Sequence, residues 1–209
     1  MNIEIPLFEG FDDLDAFGPF ELLRNVELAG GPFRVALVQL GAAPTITTSH
    51  GAVLTDIRPM SSDPAAVDLV VVPGGRWSNP DEPAGVRAEC AKGELPRALA
   101  ALHAAGVRMA SVCTGAMLLS AAGLLAGRPA TTHPLAREDL RAQGVKVLDA
   151  RVVDDGDVIT AAGVTSGLDL ALWLVERELG PRAAATLERG IDYERRGTVW
   201  RAETEAAAA

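Results

Sequence analysis

The stretch VDLVVV, residues 67–72, most narrows what this chain can fold into. A strand with one wetted face alternates apolar and polar residues, because successive side chains point to opposite faces. Here the run is almost solidly apolar, so both faces need cover. FRVALVQL (33–40) and GVRMASV (106–112) show the same habit. Segments of helical spacing separate these runs. Such strands, alternating with helices, predict an α/β fold with a central, mostly parallel sheet covered on both faces. The chain has 209 residues, 48% of them hydrophobic, a size and content that suit one such domain. No internal repeat or linker-like segment interrupts it.

IEIPLF (3–8) reads as the first strand, and GPFELLRNVELA (18–29) as a helix with Pro19 in its first turn, where a missing N–H costs nothing. PTITTSHGAVLTDI (44–57) predicts a hairpin around Gly51. A helix over roughly 93–105 leads into GVRMASV. The helix TGAMLLSAAGLL (114–125) follows Cys113 and is closed by Gly127. Residues 129–144 read as a short strand, a turn at His133-Pro134 and a helix ended by Gly144. KVLDARVVDDGDVITAAG (146–163) predicts two strands around Asp155-Gly156. An amphipathic helix over 165–180 and a helix opening on Pro181 complete a single domain over 1–200. The alanine- and glutamate-rich tail at 201–209 is expected to fray.

Composition excludes several function classes. The formal net charge is −9 and no basic stripe is present, which argues against nucleic-acid binding. Cys90 and Cys113 cannot form a disulfide framework or a four-thiolate zinc site, and no metal or cofactor is expected. The start MNIEIPLFEG lacks the basic and long apolar regions of a signal peptide. No window reaches the roughly 18 apolar residues of a membrane span. The expectation is a cytoplasmic protein with reduced thiols and no membrane partner.

Cys113 stands where an apolar strand runs into a helix. That junction lies at the carboxyl end of a strand, where open α/β sheets place ligand sites. It also faces a helix N-terminus, which is expected to lower the thiol pKa. Gly115 and Ala116 leave room for a tight nucleophile elbow. Free cysteine is equally at home as a small buried hydrophobe, and position alone leaves both readings open. Cys90, without such a junction, reads as packing. Gly74 and Gly75 end a neighbouring strand, and their amides, with that of Thr114, are candidate oxyanion donors; a plain turn explains Pro-Gly-Gly as well. Asp15 is the candidate proton partner, though Asp12, Asp13 and Asp15 all suit a helix N-terminus. His133 lies just past a strand end. His50 and His103 read as surface positions.

LFEGFDDLDAFGPFELL, VDLVVVPGG, MASVCTGAMLLSAAGLLAGRPATTHP and GVTSGLDLALWLVE together resemble the ThiJ/PfpI superfamily, related to the class I glutamine amidotransferase domain. The resemblance spans nearly the whole chain and implies a flavodoxin-like three-layer sandwich. It is closest to the isocyanide hydratase branch, through Asp15-x-x-Gly18-Pro19 and Cys113-Thr114-Gly115. A glutamate in the first loop, as in glyoxalase and deglycase-like members, is absent. So is a histidine directly after the cysteine, as in peptidase-like members. TTHPLA (131–136) is nearer the deglycase-like branch. The resemblance implies Cys113 as nucleophile, Asp15 as general acid and base, and Thr114 holding Asp15 or water. Gly74, Gly75, Thr114 and His133 are implied at the substrate. The substrate implied is a small apolar isocyanide, with Trp77 and Trp173 as candidate pocket walls. It also implies a homodimer, joined near His133 and the helix after Thr165. A non-enzymatic relative with an oxidant-sensing Cys113 is the alternative; glyoxalase, deglycase, amidase or peptidase chemistry ranks below.

Overall fold

The computed structural model describes residues 1–202. In chain order it contains β1 (Asn2–Leu7), α1 (Asp13–Leu28), β2 (Arg34–Gln39), β3 (Thr45–Thr47), β4 (Val53–Thr55), β5 (Arg58–Pro59) and β6 (Leu69–Val72). Then follow α2 (Val86–Lys92), α3 (Glu94–Ala104), β7 (Arg108–Val112), α4 (Gly115–Ala121), β8 (Pro129–Ala130), α5 (Arg137–Ala142) and β9 (Lys146–Val147). The chain continues through β10 (Val152–Asp154), β11 (Val158–Ala161), α6 (Ser166–Leu179), α7 (Pro181–Gly190) and β12 (Trp200–Arg201).

The main sheet has eight strands in the order β12-β10-β11-β7-β6-β1-β2-β5. Every neighbouring pair is parallel except β10 with β11, which form the hairpin around Gly156. Its centre is β6, whose four residues are all buried, as a run of Leu69-Val70-Val71-Val72 demands. Helices α1, α6 and α7 pack together, and α2, α3 and α4 form a second group. The result is the three-layer, flavodoxin-like sandwich that the sequence pattern and the resemblance both predict.

Two local expectations need correction. The first helix begins at Asp13, not at Pro19, because the Asp12 side chain accepts the Leu14 N–H at 3.2 Å and caps it. Pro19 therefore sits inside α1, where its ring lies close against Gly167 of α6. That contact occupies the surface left by a residue that cannot donate to the helix ladder. Second, strand β12 carries the domain past residue 200. Arg201 pairs with Asp154, and the Ala202 N–H donates to the Asp154 carbonyl at 3.0 Å. Residues 203–209 of the expected tail lie outside the described residues.

The far edge of the sheet is fixed by two buried carboxylates. Asp154 accepts from Trp173 Nε1 at 2.8 Å, from Arg177 Nη1 at 2.9 Å and from the Gly156 N–H at 2.9 Å. Asp169 accepts from Arg151 Nε at 2.7 Å, the Tyr193 hydroxyl at 3.2 Å and the Arg196 N–H at 2.9 Å. These bonds tie residues 191–202 back onto α6. Asp154→Ala should leave three donors without their partner and lower stability by about 2–3 kcal/mol. Thermal unfolding should show a fall of roughly 5–10 °C.

Candidate active site

Three adjacent strands end on the same sheet edge and deliver one group each. After β1, Asp15 enters from the first turn of α1; after β6 come Gly74 and Gly75; after β7 comes Cys113. Cys113 has φ +57°, the left-handed conformation of a strained elbow. Its N–H is held by the Ala161 and Ala162 carbonyls at 3.1 and 2.9 Å, and its carbonyl accepts the Thr132 hydroxyl at 2.9 Å. Gly115 must be glycine for the turn to close, because a Cβ there would meet the Val72 carbonyl at 2.2 Å.

Asp15 is fully buried and Cys113 is 6% exposed; Asp15 Oδ1 has no hydrogen-bond partner, and the two side chains lie close enough to shift each other's proton affinity. Burial, with the charge of Asp12, pushes Asp15 up from 3.8 to about 7; the pull of Cys113 and of the Gly74 N–H only partly opposes this. Burial, with the charge of Asp15, also holds the Cys113 thiol well above its usual range, against the pull of the Val164 and Thr114 amides. A lowered thiol pKa was the expectation from the helix terminus. Desolvation and the carboxylate outweigh it. The thiol and the carboxyl behave as one coupled unit, whose protons belong to the pair.

The two glycines do something other than expected. The Gly74 N–H donates to Asp15 Oδ2 at 3.1 Å, and the Gly75 N–H to Thr114 Oγ1 at 3.0 Å. The Thr114 hydroxyl donates back to the Gly75 carbonyl at 3.1 Å, so it does not hold Asp15. Both glycine amides are thus engaged with site side chains instead of open to a substrate oxygen. The close approach explains the residue type: a Cβ on Gly74 would lie 2.7 Å from Asp15 Oδ2 and 2.6 Å from Thr114. The Thr114 amide and that of Val164 are the donors turned toward the sulfur. Nothing in the sequence singled out Val164, because it comes from a loop remote in the chain. Thr132 lay within the TTHP stretch and was readable there only as part of a motif.

Above Cys113 opens a cleft of about 190 Å³. Asp12, Gly75, Thr114, Trp77, His133, Leu135 and Val164 are among its walls. His133 Nδ1 accepts the Leu135 N–H at 3.2 Å, and burial keeps the ring below its usual pKa, so the neutral imidazole carries its proton on Nε2. Trp173 is not at this cleft; it lies under the far edge of the sheet, bonded to Asp154. Two hollows of about 440 Å³ beside it border neither Cys113 nor Asp15. His50 is exposed and bonded to Asp13, while His103 is half-buried against Val107 and Asp157. Cys90 donates to the Met117 carbonyl, and burial raises its pKa to about 11. Among the described residues no group of three or more His, Cys, Asp or Glu side chains could hold a metal ion. None of the described helices is long and apolar enough to cross a membrane.

A cysteine on a strained strand-to-helix turn, backed by a buried acid from the first loop, is matched across residues 1–177 by one family model. The chain belongs to the DJ-1/PfpI family. It is 31% identical to the isonitrile hydratase of Pseudomonas putida over 198 residues, covering 92% of this chain and 78% of that protein. A deglycase of Pyrococcus horikoshii is 30% identical over 167 residues, 79% of this chain and 90% of its own. The crystal structure of a ThiJ/PfpI family protein from Pseudomonas syringae superposes with a TM-score of 0.79 at 26% identity, covering 99% of this chain and 78% of that one. In this DJ-1/PfpI chain the acid that faces the cysteine is Asp15.

The raised Asp15 pKa has a sign that can be tested. The unfolded chain releases that proton near 3.8 and the folded chain near 7. Between those values the folded state binds the extra proton, so stability falls as pH rises and levels off above about 7. Asp15→Asn removes the buried charge. Thermal melts should show the advantage of the variant over the parent growing from about pH 4 to pH 7 and levelling off above that, by about 2–4 °C for each kcal/mol relieved.

Proposed function

We propose that this chain hydrates an isocyanide to an N-substituted formamide, with Cys113 as nucleophile and Asp15 as proton carrier. The observation that carries the reading is the buried Cys113 on its strained turn, with the buried and partly unpartnered Asp15 carboxyl beside it. The terminal carbon of an isocyanide must gain both a nucleophile and a proton. A thiol and a carboxyl that share a proton supply both at one place. The relationship to the Pseudomonas putida isonitrile hydratase supports the same reaction.

In the reactive form the pair holds one proton, on the thiol, and Asp15 is a carboxylate. Asp15 takes the thiol proton as the sulfur bonds to the terminal carbon and passes that proton to the same carbon, giving a thioimidate. The Asp15 carboxylate then takes a proton from water as the water oxygen adds to the carbon, and the nitrogen receives that proton. The carbon–sulfur bond breaks, the new hydroxyl proton returns through Asp15 to the pair, and the formamide leaves. One isocyanide and one water are consumed, and Cys113 and Asp15 return to their starting state. The Thr114 and Val164 amides steady the negative charge on sulfur before attack and after release. Homodimeric assembly in the cytoplasm belongs to the same proposal. Deglycase-like chemistry is a second reading, favoured by the Pyrococcus horikoshii relative.

The test is formamide production from an aromatic isocyanide, followed by absorbance. Cys113→Ala should abolish turnover, and Asp15→Asn should lower kcat/KM by about 10²–10⁴-fold. The pH profile follows from the pair. Below about 7 Asp15 holds its own proton and cannot take that of the thiol; above it Asp15 is a carboxylate and the reactive form is available. The logarithm of kcat/KM should therefore rise with pH up to about 7 and then level off. Turnover by Cys113→Ala at the parent rate would overturn the reading, and glyoxal turnover without isocyanide turnover would favour the second.

A further inference from the structure

Trp77 lies in the irregular segment between β6 and α2, and nothing in that segment's own backbone pattern would hold a large side chain still. Two residues from other elements do. Its Nε1–H donates to Asp139 Oδ2 on α5 at 2.7 Å. The Arg87 guanidinium, from the first turn of α2, covers one ring face at 3.9 Å from the centroid. Arg87 also bonds to the Trp77 carbonyl and reaches the same Asp139 oxygen at 3.1 Å. Asp139 thus joins tryptophan and arginine into one clamp. Arg87 does not border the cleft above Cys113, whereas Trp77 does. Arg87 leaves the other ring face uncovered.

The clamp also ties together two segments that line the cleft. Trp77 lines it from the segment between β6 and α2; His133 and Leu135 line it from the segment that leads directly into α5, which carries Asp139. The bond from Trp77 to Asp139 therefore joins one lining segment to the other. The cleft is about 190 Å³, and a cavity of about 150 Å³ holds one benzene ring. A ring with a short head group fits that space.

We propose that Trp77, clamped by Asp139 and Arg87, is the specificity-determining wall of this site and selects a planar aromatic N-substituent by stacking its uncovered face against it. The wall acts on whatever is bonded to the group that reaches Cys113, so it deepens the isocyanide reading and, for its substrate, rests on it. An aromatic stack is worth about 2–10-fold in preference beyond the area it buries.

The experiment compares kcat/KM for phenyl isocyanide and n-butyl isocyanide. The parent should favour the aryl substrate. Trp77→Leu should cut the aryl-to-butyl ratio by about fivefold or more. Trp77→Phe, which keeps a ring, should restore most of it, and Asp139→Asn, which loosens the clamp, should fall between. A ratio unchanged in Trp77→Leu overturns the wall. Should the parent turn over neither isocyanide, the reaction assignment fails while the wall is still read by binding: ligand-detected NMR gives Kd for N-phenylformamide and N-butylformamide. A preference for the phenyl compound that Trp77→Leu removes supports the wall; equal affinities, or a preference that survives the substitution, overturn it.

Discussion

The site depends on a thiol and a carboxyl packed near each other where water hardly reaches. Burial alone would keep the Cys113 thiol neutral and inert, and the nearby Asp15 carboxylate strengthens that tendency when it is ionised. The same burial makes Asp15 reluctant to ionise, so near neutrality its carboxylate is a base strong enough to take the proton that the sulfur must lose. Neither group is well suited to chemistry by itself. Coupled, they offer a nucleophile and an acid in one neutralised unit, and the two amides at the sulfur favour the form in which charge sits there.

Much of the surrounding structure serves to bring those two groups together. Cys113 stays in a left-handed conformation because its amide is held by the end of β11 and its carbonyl by Thr132. Asp15 reaches the sulfur because α1 starts six residues before Pro19, at the Asp12 cap. The loop that carries it is fastened at several points. The Asp12 N–H donates to the Gly74 carbonyl at 2.9 Å, the Gly10 N–H to the Thr47 carbonyl at 2.8 Å, and the Ser49 N–H to the Phe11 carbonyl at 2.7 Å. The β3–β4 hairpin thereby becomes a support for the acid. Gly74 and Gly75 allow β6 to run directly beneath, with no side chain between the strand end and the groups it orients.

The rim of the cleft is built on another principle. Where the floor is made of backbone and short side chains in fixed bonds, the Trp77 wall is a long side chain held by a cation–π contact with Arg87, which is itself ion-paired to Asp139. Contacts of that kind change more readily than a strained turn inside a sheet, which is how a shared nucleophile site serves different substrates across one fold.

The sequence by itself determined the layer architecture. A solidly apolar run such as Leu69–Val72 can be satisfied only between two helix layers, and a cysteine placed between such a strand and a helix must lie at the carboxyl edge of the sheet. It also narrowed the acid to three aspartates, and the resemblance picked Asp15 among them. Tertiary structure decided the rest, because those properties come from contacts between residues far apart in the chain. The direction of the thiol pKa followed from burial and from Asp15, 98 positions away in the sequence, and not from the adjacent helix end. The duties of the Gly74 and Gly75 amides depended on where Asp15 and Thr114 came to rest. Trp77 and Trp173 look alike in the sequence; only packing put one at the cleft and the other under the sheet edge. Spacing fixes what lies on a face or at a strand end, but desolvation and hydrogen-bond partners are fixed only when the chain has closed around them.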